Sequence, residues 1–232
     1  GTPTGPTGAN PPYPDQTSPD TIVAGQSVDL VAKLFDKDGV WLDNYENAGA
    51  PVAWRIVELA GNNMTPTGTL LPTGGYKAVF SPTRAHNTVD IYAEFNEGGI
   101  SLTDIVRFVI VPDTAARLYI EPSPAPVSNK LNEPDELSVV QFTNRDTIKY
   151  AYAVLRDRFG NWVGPSTSTD WFSLEPDTVD AREGNATNGE GVLIRMARSG
   201  DADVVARNRT RPFLIDTVRV VLQAISYDSL RI

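Results

Sequence analysis

His86 is the sole histidine of this 232-residue chain, and cysteine is absent. A lone histidine forms no cluster, and without cysteine there is neither a thiol nucleophile nor a thiolate metal site. The Gly-x-Ser-x-Gly signature of a hydrolase elbow is also missing. Paired carboxylates could still cleave a glycosidic bond, because two well-placed acids suffice. The chain has 29 Asp and Glu residues with no spacing that singles out a pair, so an enzyme is not expected.

The chemistry that remains is binding. Asp36 and Asp38 precede Gly39, and Asp157 precedes Gly160, so each turn could offer oxygen ligands to calcium. A loop site needs several convergent oxygens, and Phe159 stands where the second copy would repeat Asp38. The favoured reading is therefore a turn in which the Asp carboxylate accepts backbone amides and Gly supplies a left-handed backbone. Neither a resident metal nor a cofactor is expected. Trp41 and Trp162 follow these turns, where an indole could stack on a sugar, but their recurrence at matching positions favours shared packing. Trp54 and Trp171 fall within strands and belong to the core. Arg207, Arg209 and Arg211 lie in Arg207-Asn208-Arg209-Thr210-Arg211-Pro212, a basic loop in an acidic chain. Such a loop suits an anionic glycan or an acidic protein surface. Pairing of its arginines with nearby acids is the favoured alternative.

Two copies of one pattern position these residues. Val28–Leu42, VDLVAKLFDKDGVWL, returns as Lys149–Val163, KYAYAVLRDRFGNWV. Both run from an alternating strand into Asp-x-x-Gly-x-Trp-aliphatic: Asp36, Gly39, Trp41 and Leu42, then Asp157, Gly160, Trp162 and Val163. Leu102-Thr103-Asp104-Ile105-Val106-Arg107-Phe108-Val109 is matched in turn by Leu214-Ile215-Asp216-Thr217-Val218-Arg219-Val220-Val221. Asp36 to Asp104 is 68 positions and Asp157 to Asp216 is 59, a difference that belongs in loops. Two motifs repeated in one order imply two similar domains.

Along each copy, short apolar runs alternate with Gly and Pro, and no helical period appears. In the first copy Leu30, Ala32 and Leu34 share one strand face of Val28–Phe35, and Asp29, Val31, Lys33 and Phe35 share the other. About seven short strands per copy predict an all-β chain of two tandem sandwiches. The expected division is a Pro/Thr-rich linker over 1–20, a first domain over 21–112 and a second over 113–232. The second carries an insertion near 122–146, in which Leu137–Phe142 is predicted as an extra edge strand. Proline density makes 1–20 an extended, semi-rigid spacer.

Hydrophobic residues at 41% and charged residues at 21% are those of a globular chain. A formal charge of −9 excludes the basic face that a nucleic-acid backbone requires. No apolar run approaches the roughly 20 residues that span a bilayer, and no leader pattern opens the chain. These features predict a fragment of a larger protein, without membrane insertion. The lack of cysteine fits a bacterial extracytoplasmic protein that folds without oxidative help.

The Asp-x-x-Gly turn after a strand of small and aliphatic residues, best seen in Asp157-Arg158-Phe159-Gly160-Asn161, resembles the bacterial immunoglobulin-like domains. These occur in tandem in invasin- and intimin-type surface adhesins. The resemblance spans nearly all of Thr21–Ile232, while Asp36-Lys37-Asp38-Gly39-Val40 lacks the usual Asn. It implies two immunoglobulin-like β-sandwiches forming a semi-rigid stalk of a cell-surface or secreted protein. The implied partners are neighbouring domains of that protein. The alternative is a carbohydrate- or protein-binding module using Arg207, Arg209, Arg211 and Trp162 of the second domain.

Overall fold

The computed structural model describes residues 19–36, 38–40, 52–60 and 67–224, and at 59, 60 and 128 the backbone alone. Trp41 and Leu42, the linker up to residue 18, and the stretches 41–51 and 61–66 lie outside the described residues. The chain divides into two compact units, Gly1–Val111 and Pro112–Ile232.

In the first unit, strands β1 (Asp20–Val23), β3 (Val52–Ala60), β6 (Asn87–Glu97) and β7 (Ile100–Val111) form one sheet in the order β1-β7-β6-β3. Strands β2 (Val28–Val31), β4 (Gly68–Gly74) and β5 (Lys77–Pro82) form the other, ordered β2-β5-β4. Alternation sends Leu30, Ala78 and Phe80 from one sheet and Ile22, Val89, Ile91, Phe108 and Ile110 from the other into a single core. Trp54 and Ile56 of β3 pack against it. Each buried Phe or Ile contributes about 1.5–3 kcal/mol, so this shared face holds the two sheets together. Gly98 and Gly99, at φ 58° and 83°, close the β6–β7 hairpin with the two left-handed residues that a twist-matched turn demands. The predicted strand Val28–Phe35 ends early, at Val31. Leu34 is only half-buried, so its contribution to the core is weaker than its position suggests.

The second unit repeats the plan and adds to it. Strands β8 (Arg117–Glu121), β10 (Ile148–Arg156), β11 (Trp162–Pro165), β13 (Val179–Glu183) and β14 (Glu190–Arg195) make one sheet. Strands β9 (Val139–Phe142), β12 (Thr169–Ser173), β15 (Gly200–Asn208) and β16 (Ile215–Leu222) make the other, ordered β12-β15-β16-β9. Leu118, Ile120, Ala151, Ala153, Val179 and Leu193 meet Phe142, Trp171, Val204, Ala206, Val218 and Val220 across the core. Trp171 of β12 reaches the opposite sheet, where a Cβ on Gly191 of β14 would lie 2.5 Å from its ring. Glycine in that strand is therefore a packing requirement. The predicted edge strand within 122–146 is β9, shorter than Leu137–Phe142.

Corresponding strands run in corresponding order, with a tryptophan on the same strand of each unit, Trp54 on β3 and Trp171 on β12. A strand near the start pairs in parallel with the last strand in both: β1 with β7, and β9 with β16. This is the two-sheet arrangement of immunoglobulin-like sandwiches, and the chain is all-β with two of them in tandem. Pro72 and Pro165, which cannot donate to a ladder, sit on the outer strands β4 and β11. Within the second unit the Arg195 guanidinium gathers the carbonyls of Ala197, Thr143, Arg198 and Gln223.

Candidate functional site

The predicted site residues of the second unit fall at the end where β10, β13 and β15 run out. The turn after β10 is built as its sequence dictates. Asp157 Oδ1 accepts the amides of Phe159 at 2.8 Å and Asn161 at 3.0 Å. Gly160 sits at φ 88°. Asp157 Oδ2 accepts Asn161 Nδ2 at 2.7 Å and the Asp113 amide at 3.0 Å. Both oxygens of this calcium candidate thus face hydrogen-bond donors. In the first unit Asp36 Oδ1 accepts the amides of Asp38 at 2.9 Å and Val40 at 2.8 Å, with Gly39 at φ 77°. Among the described residues no three acids or histidines gather as a metal site would require.

Sequence reasoning missed the residue just before this turn. Arg156 is fully buried, and its guanidinium forks onto Glu121, with Nε to Oε1 at 2.6 Å and Nη2 to Oε2 at 2.9 Å. Nη1 donates to the carbonyls of Gly160 at 2.8 Å, Lys130 at 3.1 Å and Leu131 at 3.4 Å. Arg156 and Glu121 alternate away from the core-facing Ala153 and Ile120, and the 122–138 segment supplies the carbonyls that cover them. Phe35 occupies the equivalent place in the first repeat, so comparing the copies carries no sign of a buried charge. Trp162, first residue of β11, is half-buried and donates its amide to Leu131 O at 2.7 Å. It stands in the sheet opposite the arginine loop.

The arginine loop is organised by Asn208, the buried last residue of β15. Its Nδ2 donates to Ser166 Oγ at 2.9 Å, and its Oδ1 accepts the Thr210 amide at 3.0 Å, Thr210 Oγ1 at 2.8 Å and the Arg211 amide at 2.8 Å. Arg207 belongs to β15 rather than to the loop. Its Nη2 lies 3.4 Å from Asp170 Oδ2, and its guanidinium carbon 5.6 Å from the Phe172 ring centre. Arg209 bridges Asp170 Oδ1 at 2.7 Å and Glu183 Oε2 at 2.5 Å. Hydrogen bonding to Arg209, with Arg207 adding, holds the Asp170 carboxyl below its usual range, and Glu183 and Asp170 raise the Arg209 guanidinium. Arg211 turns away to the Ala115 carbonyl at 3.3 Å. The structure thus brings Arg207 and Arg209 together but supplies two carboxylates with them, so an incoming anion must compete with Asp170 and Glu183.

Beside the loop, Ala116–Tyr119 and Phe213–Asp216 line an open groove of about 240 Å³. Phe213 is 73% exposed at its rim and Ile215 is 50% exposed. An aromatic with Arg117 and Asp216 close by was not singled out from sequence, because Phe213 follows a proline within a turn and carries no periodic signal.

No family model matches this chain. No curated protein matches it either. Among solved structures it is similar to the extracellular cadherin domains 1–4 of protocadherin gamma B7, at 12% identity and a TM-score of 0.40, over 91% of this chain and 49% of that one. It is similar also to domains 5–6 of the S-layer protein SbsC, at 15% identity and a TM-score of 0.35, over 90% and 94%. Extracellular domains 3–5 of Drosophila OTK match at 12% identity and a TM-score of 0.36, over 88% and 61%. The chain spans about half the length of the protocadherin fragment. At these scores the likenesses add nothing to the fold read from the strand order, which stands on its own pairing and core.

Proposed function

We propose that this chain is a non-catalytic spacer in a cell-surface or secreted protein, of the kind built from tandem modules in bacterial adhesins. The observation that carries this reading is the pairing of strands near each unit's beginning with its last strand. Asp20–Val23 runs parallel to Phe108–Val111, and Val139–Phe142 runs parallel to Arg219–Leu222. Tension applied through the chain pulls such neighbours in opposite directions along their length, so their ladder bonds bear load together instead of opening one at a time. A module tethering something at a surface needs that resistance. Its partners are the neighbouring domains of the same protein.

Single-molecule pulling tests this. Force applied through the two ends should rupture the units at several-fold higher values than force applied across a hairpin such as β6–β7, which unzips. Equal rupture forces in the two geometries would sink the load-bearing reading.

A second reading is favoured by the exposed Phe213 beside its groove: a weak binding face for a carbohydrate or an acidic protein at the Arg207–Arg211 loop. Retention of the protein on immobilised polysaccharide, lost in Phe213→Ala, would support it over the spacer alone.

A further inference from the structure

We propose that Asn185 carries an N-linked oligosaccharide, an inference that rests on the surface reading above. The chain contains three Asn-x-Thr tripeptides, at Asn63, Asn185 and Asn208. This is the acceptor pattern for asparagine-linked sugar in chains that leave the cytoplasm. Asn63 lies outside the described residues. The structure separates the other two by their chemistry.

Asn208 is 5% exposed, its Nδ2 is committed to Ser166, and its Oδ1 holds the arginine loop together. A sugar on that nitrogen would break the hydrogen bond and has no room. Asn185 is exposed, in the segment that joins β13 to β14. Its Oδ1 accepts the Thr187 hydroxyl at 2.7 Å and the Thr187 amide at 3.1 Å. These two bonds from the third residue of the tripeptide fix the plane of the carboxamide. They leave Nδ2 with no hydrogen-bond partner among the described residues. The local fold is firm: Gly189 closes the turn at φ 71°, and the Asn185 amide reaches Glu190 Oε1 at 3.3 Å. A large substituent on Nδ2 therefore projects from an ordered loop without displacing a packed group.

The reaction is a glycosyl transfer from a polyprenyl-pyrophosphate-linked oligosaccharide, catalysed by a membrane transferase. Nδ2 forms a bond to the anomeric carbon, and the bond from that carbon to the pyrophosphate oxygen breaks. The pyrophosphate leaves with the electron pair, and the amide proton passes to a base of the transferase. The attached sugar has a consequence for function. Asn185 is two residues from Glu183, which binds Arg209, so a glycan there covers the arginine loop and leaves the unit a shielded spacer.

Mass mapping of peptides from the protein isolated from the cells that make it tests the proposal, with a Thr187→Val variant alongside. The peptide containing Asn185 should carry a sugar mass that N-glycosidase removes, leaving Asp at 185. The peptide containing Asn208 should be bare, and Thr187→Val should abolish the modification. A bare Asn185, or sugar on Asn208 in its place, overturns the proposal. The compartment in which the protein is recovered separates the two readings: bare Asn185 on exported protein leaves the surface assignment intact, and cytoplasmic protein overturns both.

Discussion

Arg156 and Glu121 form a two-pronged ion pair in which neither side chain reaches solvent, with exposures of 0% and 1%. The pair joins β8 to β10. Three carbonyls, from Lys130, Leu131 and Gly160, accept from Nη1. A buried charge is tolerated only when it is paired and hydrogen-bonded in this way, and removal of one partner is more damaging than absence of both.

Glu121→Ala should accordingly lower the stability of the second unit by about 3–5 kcal/mol, since it strands a cation in a dry site. Urea unfolding followed by Trp fluorescence would measure it. Glu121→Gln, which retains one acceptor, should fall between wild type and Ala; equal midpoints for all three would show that the pair contributes nothing.

Gly191→Ala should destabilise by at least the roughly 1–3 kcal/mol typical of overpacking, because the new methyl would lie 2.5 Å from the Trp171 ring. Trp171→Leu in the same chain should recover part of that loss. Thermal melts of the two single variants and the double variant would reveal the coupling. Additive effects would mean the ring and the strand do not touch.

The two Asp turns should respond differently to a single-atom change. Among the described residues Asp36 accepts through Oδ1 alone, so Asp36→Asn keeps both of these bonds. Asp157 also presents Oδ2 to Asn161 Nδ2 and the Asp113 amide. Asp157→Asn puts an NH2 group against donors and should lose about 1–3 kcal/mol. Calorimetry on both variants checks this, with Asp36→Asn expected near wild type.

Acid sensitivity should depend on Asp170. Its carboxyl is held below the ordinary value of 3.8 by Arg209 and then Arg207. A carboxyl depressed in the folded state contributes stability that is complete above that ordinary value and drains as pH falls through the lowered one. Asp170→Asn should make stability less dependent on pH below about 4, and added salt should do the same to wild type because the pair is exposed. Melting temperatures across that range would show it; an unchanged slope in Asp170→Asn would refute the assignment.

Much of the fold was legible because the repeated pattern and the alternation of Ala151 and Ala153 with outward residues report directly on which side of a strand is dry. The turn chemistry of Asp157 and Gly160 was legible too, being local. What escaped was set by distant chain. Arg156 occupies an outward position that alternation assigns to solvent, and it is buried because a segment more than 20 residues away in sequence folds over it. Likewise the basic character of Arg207 and Arg209 is visible in sequence, but their neutralisation by Asp170 and Glu183 depends on which strands become neighbours. Arg207, expected in a loop, lies in β15 because the β15–β16 ladder runs to Arg207–Ile215.

Pro72 and Pro165 on the outer strands bear on life at high density. Molecules arrayed side by side would present these borders to one another, and a ring nitrogen with no hydrogen interrupts any attempt to zip one sheet onto the next. Edge-to-edge pairing is resisted along these two borders, and replacing either proline by a β-branched residue should make concentrated solutions cloud sooner.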